Sequence, residues 1–323
     1  MTSMLAARGD IDVSVIVVNY NTAHLLHDMR AALDKSARGL RIELIIIDNA
    51  SRDDSAEVLR RDFADATLIF NNSNVGFGRA NNQGLAHAHG RHVLLLNTDA
   101  FVADDTLQKT VQYMDAHPEC GVLGVRLEGR DGVLQPCCRY FPTPWNIFLK
   151  RTGWHRFFPG TRLVDDMAWD HASVRECDWV IGCYFLVRRE VIEKVGLFDD
   201  RFFLYSEEVD HCWSAKQAGF RVVFFPHTTV IHLGGESAKS DAQLTAGRQI
   251  SALQVESELL FFRKHYGLAG AFAGWFLNSV SDLLDMLKSS LKRRWPRVAE
   301  ARKHFALYWV SVGQTRLGAR PTR

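Results

Sequence analysis

A chain of 323 residues with 47% hydrophobic and 24% charged side chains has the composition of a soluble globular protein, long enough for one large or two small domains. Its formal net charge of +2 gives no global electrostatic case for nucleic-acid binding. Its six cysteines (Cys120, Cys137, Cys138, Cys177, Cys183, Cys212) show no paired CxxC spacing, which favours free thiols in a reducing cytosol over a disulfide framework or a zinc site.

Met1 to Asp12 holds no apolar signal-peptide core, so the chemistry is expected in the cytoplasm. Val13 to Val18 is short, β-branched and apolar, which predicts a buried strand, and Ala23 to Ser36 predicts an amphipathic helix. A second strand over Ile42 to Ile47 is followed by a helix over Asp53 to Phe63. The third strand, Thr67 to Phe70, precedes a helix over Gly76 to His89 and a fourth strand over Arg91 to Leu96. This alternation predicts βαβ units and a mostly parallel sheet. A helix over Asp104 to His117 and a strand near Val122 to Arg126 continue it. Between Gly129 and Glu176 the rhythm breaks in a stretch rich in aromatics and holding four of the eight prolines, read as an extended insertion over about 129–176. Trp179 to Val187 then predicts a strand, Arg189 to Val195 and Ser206 to Ala218 helices, and Arg221 to Phe225 and Thr229 to His232 strands. From Ala242 onward the pattern is helical.

Ligands of open α/β sheets bind beyond the carboxyl ends of the strands. Here those ends offer Asn19, Tyr20 and Asn21, then Asp48 and Asn49, then Asn71 and Asn74, then Asn97 and Asp99. Such a set suits a nucleotide, and a lone carboxylate can hold a hard divalent cation that in turn holds a diphosphate. Each residue singly also fits a turn or a helix cap. The chain has no GxxxxGK[ST] loop and no glycine-rich turn after the first strand, so a bound diphosphate would need a metal for neutralisation. Glu207-Glu208-Val209-Asp210 opens a helix, where the macrodipole favours acidic residues. Three carboxylates in four positions also offer a general base.

Six ordered segments carry a family resemblance: Val15–Asn21, Ile47-Asp48-Asn49-Ala50-Ser51, Asn74–Gly84, Leu95–Asp99, Tyr205–Asp210 and Ile231–Gly235. From Val13 to about Ser237 the chain resembles the family 2 inverting glycosyltransferases of the GT-A fold, most closely their rhamnosyltransferase-like branch. The resemblance implies a nucleotide-sugar-binding α/β fold with a mostly parallel central sheet, followed by a helical extension. Asp48 with Asn19, Tyr20 and Asn21 would bind the base, and Asn74, Asn81 and Asn82 would lie near the ribose and diphosphate. Asn97-Thr98-Asp99 falls where relatives carry a DxD metal motif. Asp99 would then be the principal carboxylate ligand of Mg²⁺ or Mn²⁺, with His232 as second ligand and Asn97 as a donor contact. Glu208 stands at the family's catalytic carboxylate, and Gly182, Glu207 and Asp210 would shape the acceptor pocket.

The implied activity is metal-dependent inverting transfer of a sugar, with L-rhamnose from dTDP-rhamnose as candidate. The acceptor would be a saccharide or polyprenyl-linked saccharide in cell-surface polysaccharide assembly. Asn97, and Glu rather than Asp at 208, also fit a sugar-nucleotide-binding module without catalysis; a nucleotidyltransferase is a weaker alternative.

These readings divide the chain into a catalytic domain over 1–240 and a basic helical extension over 241–323. Leu268 to Val280 is apolar but is interrupted by Asn278, Asp282 and Asp285 before reaching a membrane span. Trp275, Phe276, Leu277, Leu283, Leu284 and Leu287 followed by Lys288 and Lys292 to Arg294 fit an interfacial amphipathic helix on the inner membrane. The same pattern fits packing on the catalytic domain or on a second subunit of a homodimer.

Overall fold

The structure is a computed structural model describing residues 11–235 and 252–323. The helical expectation over 242–251, and the end of the family resemblance at 236–237, lie outside the described residues. In chain order the elements are β1 (Val13–Asn19), α1 (Leu26–Ser36), β2 (Ile42–Asp48), α2 (Ser55–Asp62), β3 (Thr67–Phe70), α3 (Phe77–Leu85), β4 (His92–Leu96) and β5 (Ala100–Val102). There follow α4 (Thr106–Ala116), β6 (Cys120–Glu128), α5 (Pro144–Thr152), β7 (Arg175–Cys177), β8 (Tyr184–Arg188) and α6 (Arg189–Val195). The last are α7 (Glu207–Gln217), β9 (Arg221–His232), α8 (Ala252–Leu291) and α9 (Trp295–Thr315).

One twisted sheet has the order β3-β2-β1-β4-β8-β6-β9-β5, with β7 pairing β9. Helical crossovers keep β3-β2-β1-β4 parallel, as the alternation predicts. Beyond β4 the sheet is mixed. β8 runs antiparallel to both β4 and β6, whereas β6 and β9 are parallel. The chain returns from the insertion on the side of the strand ends and enters β8 from there, which reverses its direction. Consequently residues 179–183, expected as strand, form the approach and turn instead, with Asn97 N–H donating to Cys183 O at 3.0 Å. The two strands expected over Arg221 to His232 are one, with a register shift against β6 between Val125 and Arg126.

β1 and β4 are buried on both faces, which is why their sequences run apolar without alternation. All six cysteines are buried and unpaired, as the spacing suggests. The insertion contains a helix that periodicity did not reveal. Thr143 opens α5 with a reciprocal capping box, Asn146 N–H donating to Thr143 Oγ1 at 3.0 Å and Thr143 N–H to Asn146 Oδ1 at 2.9 Å, with Pro144 in its first turn.

α8 is broken at Gly267, whose φ of +68° and ψ of −164° leave the helix. Its first half belongs to the core of the sheet domain: Leu260, Phe261 and Phe262 are buried there. Ser257 Oγ donates to Leu204 O at 2.8 Å, and Tyr266 Oη donates to Pro142 O at 3.0 Å. Lys264 Nζ lies 2.7 Å from Asp199 Oδ2 and 2.8 Å from Asp210 Oδ2, and His265 Nε2 lies 2.7 Å from Asp210 Oδ1. The second half packs against α5 and α9, with Arg151 bonded to Asn278, Asp282 and His304. Among the described residues no helix is long and apolar enough to cross a membrane.

Burial works against an ionised Asp199, but Arg201 and Lys264 hold its carboxyl below the ordinary range. A depressed folded-state value stabilises above the unfolded pKa, near 4, and that contribution is lost as pH falls. Lys264→Met leaves Asp199 and Asp210 facing each other without their shared cation. It is expected to destabilise the fold by about 3 kcal/mol at pH 7. In urea unfolding followed by circular dichroism, the deficit should narrow below about pH 4.

Candidate active site

The ends of β1 and β2 are laced together before any ligand is considered. Asn19 Nδ2 donates to Asp48 Oδ1 at 2.8 Å and to Ser51 Oγ at 3.0 Å, while its Oδ1 accepts from Thr22 Oγ1 at 2.8 Å. Asp48 Oδ2 also accepts Ser51 N–H at 3.2 Å, and Asn21 Oδ1 accepts Arg52 N–H at 2.6 Å. Asn49 Nδ2 reaches Asn74 Oδ1 at 2.9 Å, and Asn74 Oδ1 also accepts Gly76 N–H at 2.9 Å. This lattice holds Asn21 and Ala50 at φ +53° and +65°, conformations that cost non-glycine residues about 1 kcal/mol or more. Gly76 needs its φ of +92° and its missing side chain, since a Cβ would stand 2.4 Å from Phe203 O.

Beyond these ends lies a cleft of about 850 Å³, open mouth included, lined by Tyr20, Asn49, Asn74, Phe77, Asn97 and Asp99, with Phe203 to Tyr205 as its far wall. Of the residues expected at the donor, Tyr20, Asn74 and Asn97 line it directly. Asn19, Asn21 and Asp48 form the bonded layer described above. Asn81 and Asn82, on α3, are not among the residues that line the cleft. Asn81 Nδ2 donates to Phe77 O at 2.9 Å. Asn82 donates to Phe198 O at 2.8 Å and Asp200 Oδ1 at 2.9 Å and accepts Phe198 N–H, so it binds the loop below the cleft.

Asp99 and His232 are 133 positions apart and meet because β5 pairs antiparallel with the end of β9 in the register Ala100↔His232. Asp99 O accepts Leu233 N–H at 3.0 Å, which extends that ladder to the cleft. His232 Nε2 stands 3.6 Å from Asp99 Oδ1, beyond hydrogen-bonding distance. Burial pushes the His232 imidazole below its ordinary pKa, with the Asp99 carboxylate pulling the other way. An oxygen and a nitrogen donor so placed fit Mg²⁺ or Mn²⁺, ions that keep several positions for water and phosphate oxygens. Among the described residues no third His, Cys, Asp or Glu joins them.

α7 starts from two consecutive left-handed residues, Tyr205 at φ +72° and Ser206 at φ +69°, so its first turn is aimed by strained backbone. Glu207 is buried, with Gly78 of α3 against its Cβ, and Glu208 faces Gly182 and Phe77. Gly182 leaves that side open, since even an added Cβ would meet nothing nearer than 3.9 Å. Each glutamate has a buried Oε2 without a partner among the described residues. Burial pushes the Glu207 carboxyl well above its ordinary value, and the Glu208 charge pushes it further. Burial raises Glu208 as well, with backbone N–H groups and Arg139 pulling down. Asp210, expected in the acceptor pocket, is instead the anion of the Lys264–His265 clamp on α8. Residues three apart on a helix share a face, but α8 outside the catalytic motifs decides what that face meets.

Asn49, offered by the end of the second strand, lines the cleft, as do Phe77, Phe203 and Tyr205, which the strand-end pattern leaves out. Phe77 and Tyr205 stand inside recognisable segments. The Phe203 wall depends on the long-range contact Phe77 N–H to Phe203 O at 2.9 Å, which leaves no local signal.

Comparisons with known proteins give the family and the fold. Residues 14–196, more than half the chain, match Glycosyl transferase family 2. The chain is 24% identical over 300 residues to the N-acetylglucosaminyl-diphospho-decaprenol L-rhamnosyltransferase of Mycobacterium tuberculosis, covering 86% of this chain and 94% of that one. It is 24% identical over 176 residues to the rhamnosyltransferase WbbL of Escherichia coli, covering 51% and 63%. Among solved structures it is similar to the mannosyltransferase PcManGT from Pyrobaculum calidifontis in complex with GDP-Man and Mn²⁺. That likeness has a TM-score of 0.53 at 17% identity, covering 94% and 86%. TarS 1–349 of S. aureus has a TM-score of 0.50 at 16% identity, covering 95% and 92%. The fold is thus GT-A-like, and the chain belongs to glycosyltransferase family 2, with its likeness to the rhamnosyltransferase branch.

Proposed function

We propose that this glycosyltransferase is metal-dependent and inverting, and that it moves L-rhamnose from dTDP-rhamnose to a lipid-linked saccharide in cell-envelope polysaccharide assembly. The observation that carries the reading is the meeting of Asp99 with His232 beside a cleft walled by Tyr20 and asparagines. A bound divalent ion would be held by these two side chains and would neutralise the diphosphate leaving group. Tyr20, Asn74 and Asn97 offer ring and amide groups to base, ribose and phosphate. Glu208 would take the proton of the acceptor hydroxyl as that oxygen bonds to the anomeric carbon and the bond to the diphosphate breaks. Its raised pKa moves it toward the working pH, where a general base gains most. The mycobacterial relative is named for a diphospho-decaprenol acceptor, which supports a lipid-linked acceptor here.

The same reading places the enzyme against the cytoplasmic face of the inner membrane. Leu268, Phe272, Phe276, Leu283, Leu287 and Leu291 are exposed along the second half of α8, followed by exposed Trp295. Lys288, Lys292, Arg293, Arg294 and Arg297 flank them, a combination suited to an anionic interface. Phe272→Ser combined with Phe276→Ser is expected to release the protein from anionic vesicles in a flotation assay while leaving dTDP binding unchanged. A shift to a smaller species in light scattering, with no change in vesicle binding, would assign the stripe to a homodimer.

Asp99→Asn should abolish transfer and Mn²⁺-dependent stabilisation by dTDP-rhamnose while the melting temperature without donor stays within a few degrees. Release of nucleoside diphosphate, not pyrophosphate, identifies transfer and excludes a nucleotidyltransferase. Donor binding without transfer to any lipid-linked fraction would support a non-catalytic module.

The two glutamates should separate cleanly. Glu208→Gln is expected to keep donor binding and lower transfer about 10²-fold or more. Glu207→Gln should retain much of the activity and raise the melting temperature. A carboxyl whose folded-state pKa is raised contributes stability below its unfolded value, near 4.3, and loses it as pH rises toward the folded value. The thermal advantage of Glu207→Gln should therefore grow from pH 4 to pH 8 in scanning calorimetry. A constant advantage would mean that Glu207 does not titrate in this way.

A further inference from the structure

Gln135 lies outside every recognisable motif and touches His232 twice. Its Oε1 stands 2.8 Å from His232 Nδ1, and its Nε2 donates to His232 O at 2.8 Å. A backbone carbonyl only accepts and an amide nitrogen only donates, so the orientation of the Gln135 amide is fixed by chemistry. Its oxygen is then the atom facing the ring, and an oxygen acceptor there requires hydrogen on Nδ1. In the neutral ring Nε2 consequently carries a lone pair, directed to the side where Asp99 Oδ1 stands 3.6 Å away.

Gln135 is itself held by the sheet. β6 runs parallel to β9 in the register Glu128↔Ile231, and a tight turn then reverses the chain, with Gly129 N–H donating to Val133 O at 2.9 Å. Leu134 bridges back to Glu128, and Gln135 N–H donates to Leu127 O at 2.9 Å. The first residues of the insertion thus form a strut returning to the end of β9. The two bonds to one residue restrain both the ring's rotation and its backbone.

We propose that Gln135 is a positioning residue for the Asp99–His232 pair, holding His232 as the Nδ1–H tautomer so that Nε2 and the Asp99 carboxylate converge on one divalent cation. The proposal rests on the metal reading given above. Hydrogen bonds to the outer nitrogen of a metal-binding imidazole fix its tautomer and raise its basicity, and their loss weakens metal binding about 10–100-fold.

The test uses the full chain and Mn²⁺ alone, followed by electron paramagnetic resonance, with long-range ¹H–¹⁵N correlation of the His232 ring in metal-free protein. The wild type should show hydrogen on Nδ1. Gln135→Leu loses both bonds, and should mix the tautomers and weaken Mn²⁺ binding at least tenfold. Gln135→Glu keeps an acceptor for Nδ1–H, and should retain the tautomer and bind Mn²⁺ within about threefold of wild type or more tightly. His232→Ala separates the two ideas: if it leaves Mn²⁺ binding unchanged, the metal reading fails. If it weakens binding while Gln135→Leu does not, the role of Gln135 fails. A wild-type ring protonated on Nε2 overturns the proposal even if Gln135→Leu does not fold.

Discussion

The three-residue strand β5 is the constraint on which the site depends. It is short, yet its antiparallel register against the end of β9 decides where Asp99 and His232 stand. Strand side chains alternate faces, so a slip of one residue would send His232 to the opposite side and leave Asp99 alone. The register is secured from both sides. Asp99 O and Leu233 N–H close the ladder at the cleft, and β6 pairs along the other edge of β9 as far as Ile231. The same β6 sends out the turn that brings Gln135 to His232, so one neighbourhood of strands sets both the position of the histidine and the orientation of its ring.

The rest of the cleft is preorganised by bonds among its own polar groups. Asn19, Asp48, Ser51 and Asn49 spend much of their hydrogen-bonding capacity on one another. Such a lattice costs adaptability but keeps Asn49 and Asn74 in place, which lowers the ordering entropy to be lost on binding. Backbone strain at Asn21, Ala50, Tyr205 and Ser206 falls on the loops that border the cleft. Residues in sparsely populated conformations persist where surrounding bonds over-determine them. Glu207 and Glu208 each keep, in the same region, a buried carboxyl oxygen without a partner among the described residues.

What could be read from the sequence follows the range of the interactions concerned. Parallel strands announce themselves by short apolar runs, and their polar ends by short residues, so β1 to β4 and the place of Asp99 beyond the end of β4 are legible. α5 was hidden in an aromatic stretch although Thr143-Pro144-Trp145-Asn146 is a legible capping signal. Asn81 and Asn82 stand in a recognisable segment, but Asn82 is bonded to the loop at Phe198 and Asn81 to the Phe77 carbonyl of its own helix. For Asp210 and Gln135 nothing local could have sufficed. One is assigned by Lys264 and His265, the other by a β-register more than ninety positions along the chain.

Those long-range partners also change how the C-terminal helices are understood. An amphipathic pattern from Leu268 onward suggests an added module, yet the half of α8 before Gly267 is a wall of the catalytic core. Ser257 bonds the Leu204 carbonyl in the cleft's far wall, and Lys264 and His265 grip Asp210 one turn into the helix that carries Glu208. At the chain's end the Arg323 guanidinium lies over the Phe203 ring at 5.1 Å, while Arg79 donates to Arg323 O at 3.0 Å. The loop from Phe203 to Ser206 is therefore braced from α3, from α8 and from the last residues of the chain. Its left-handed backbone at Tyr205 and Ser206 needs such support. The break at Gly267 lets one helix serve two surfaces: the half before it faces the core, and the half after it presents an apolar stripe outward. Docking through that stripe would leave the contacts that aim α7 intact, because they lie on the other side of the break.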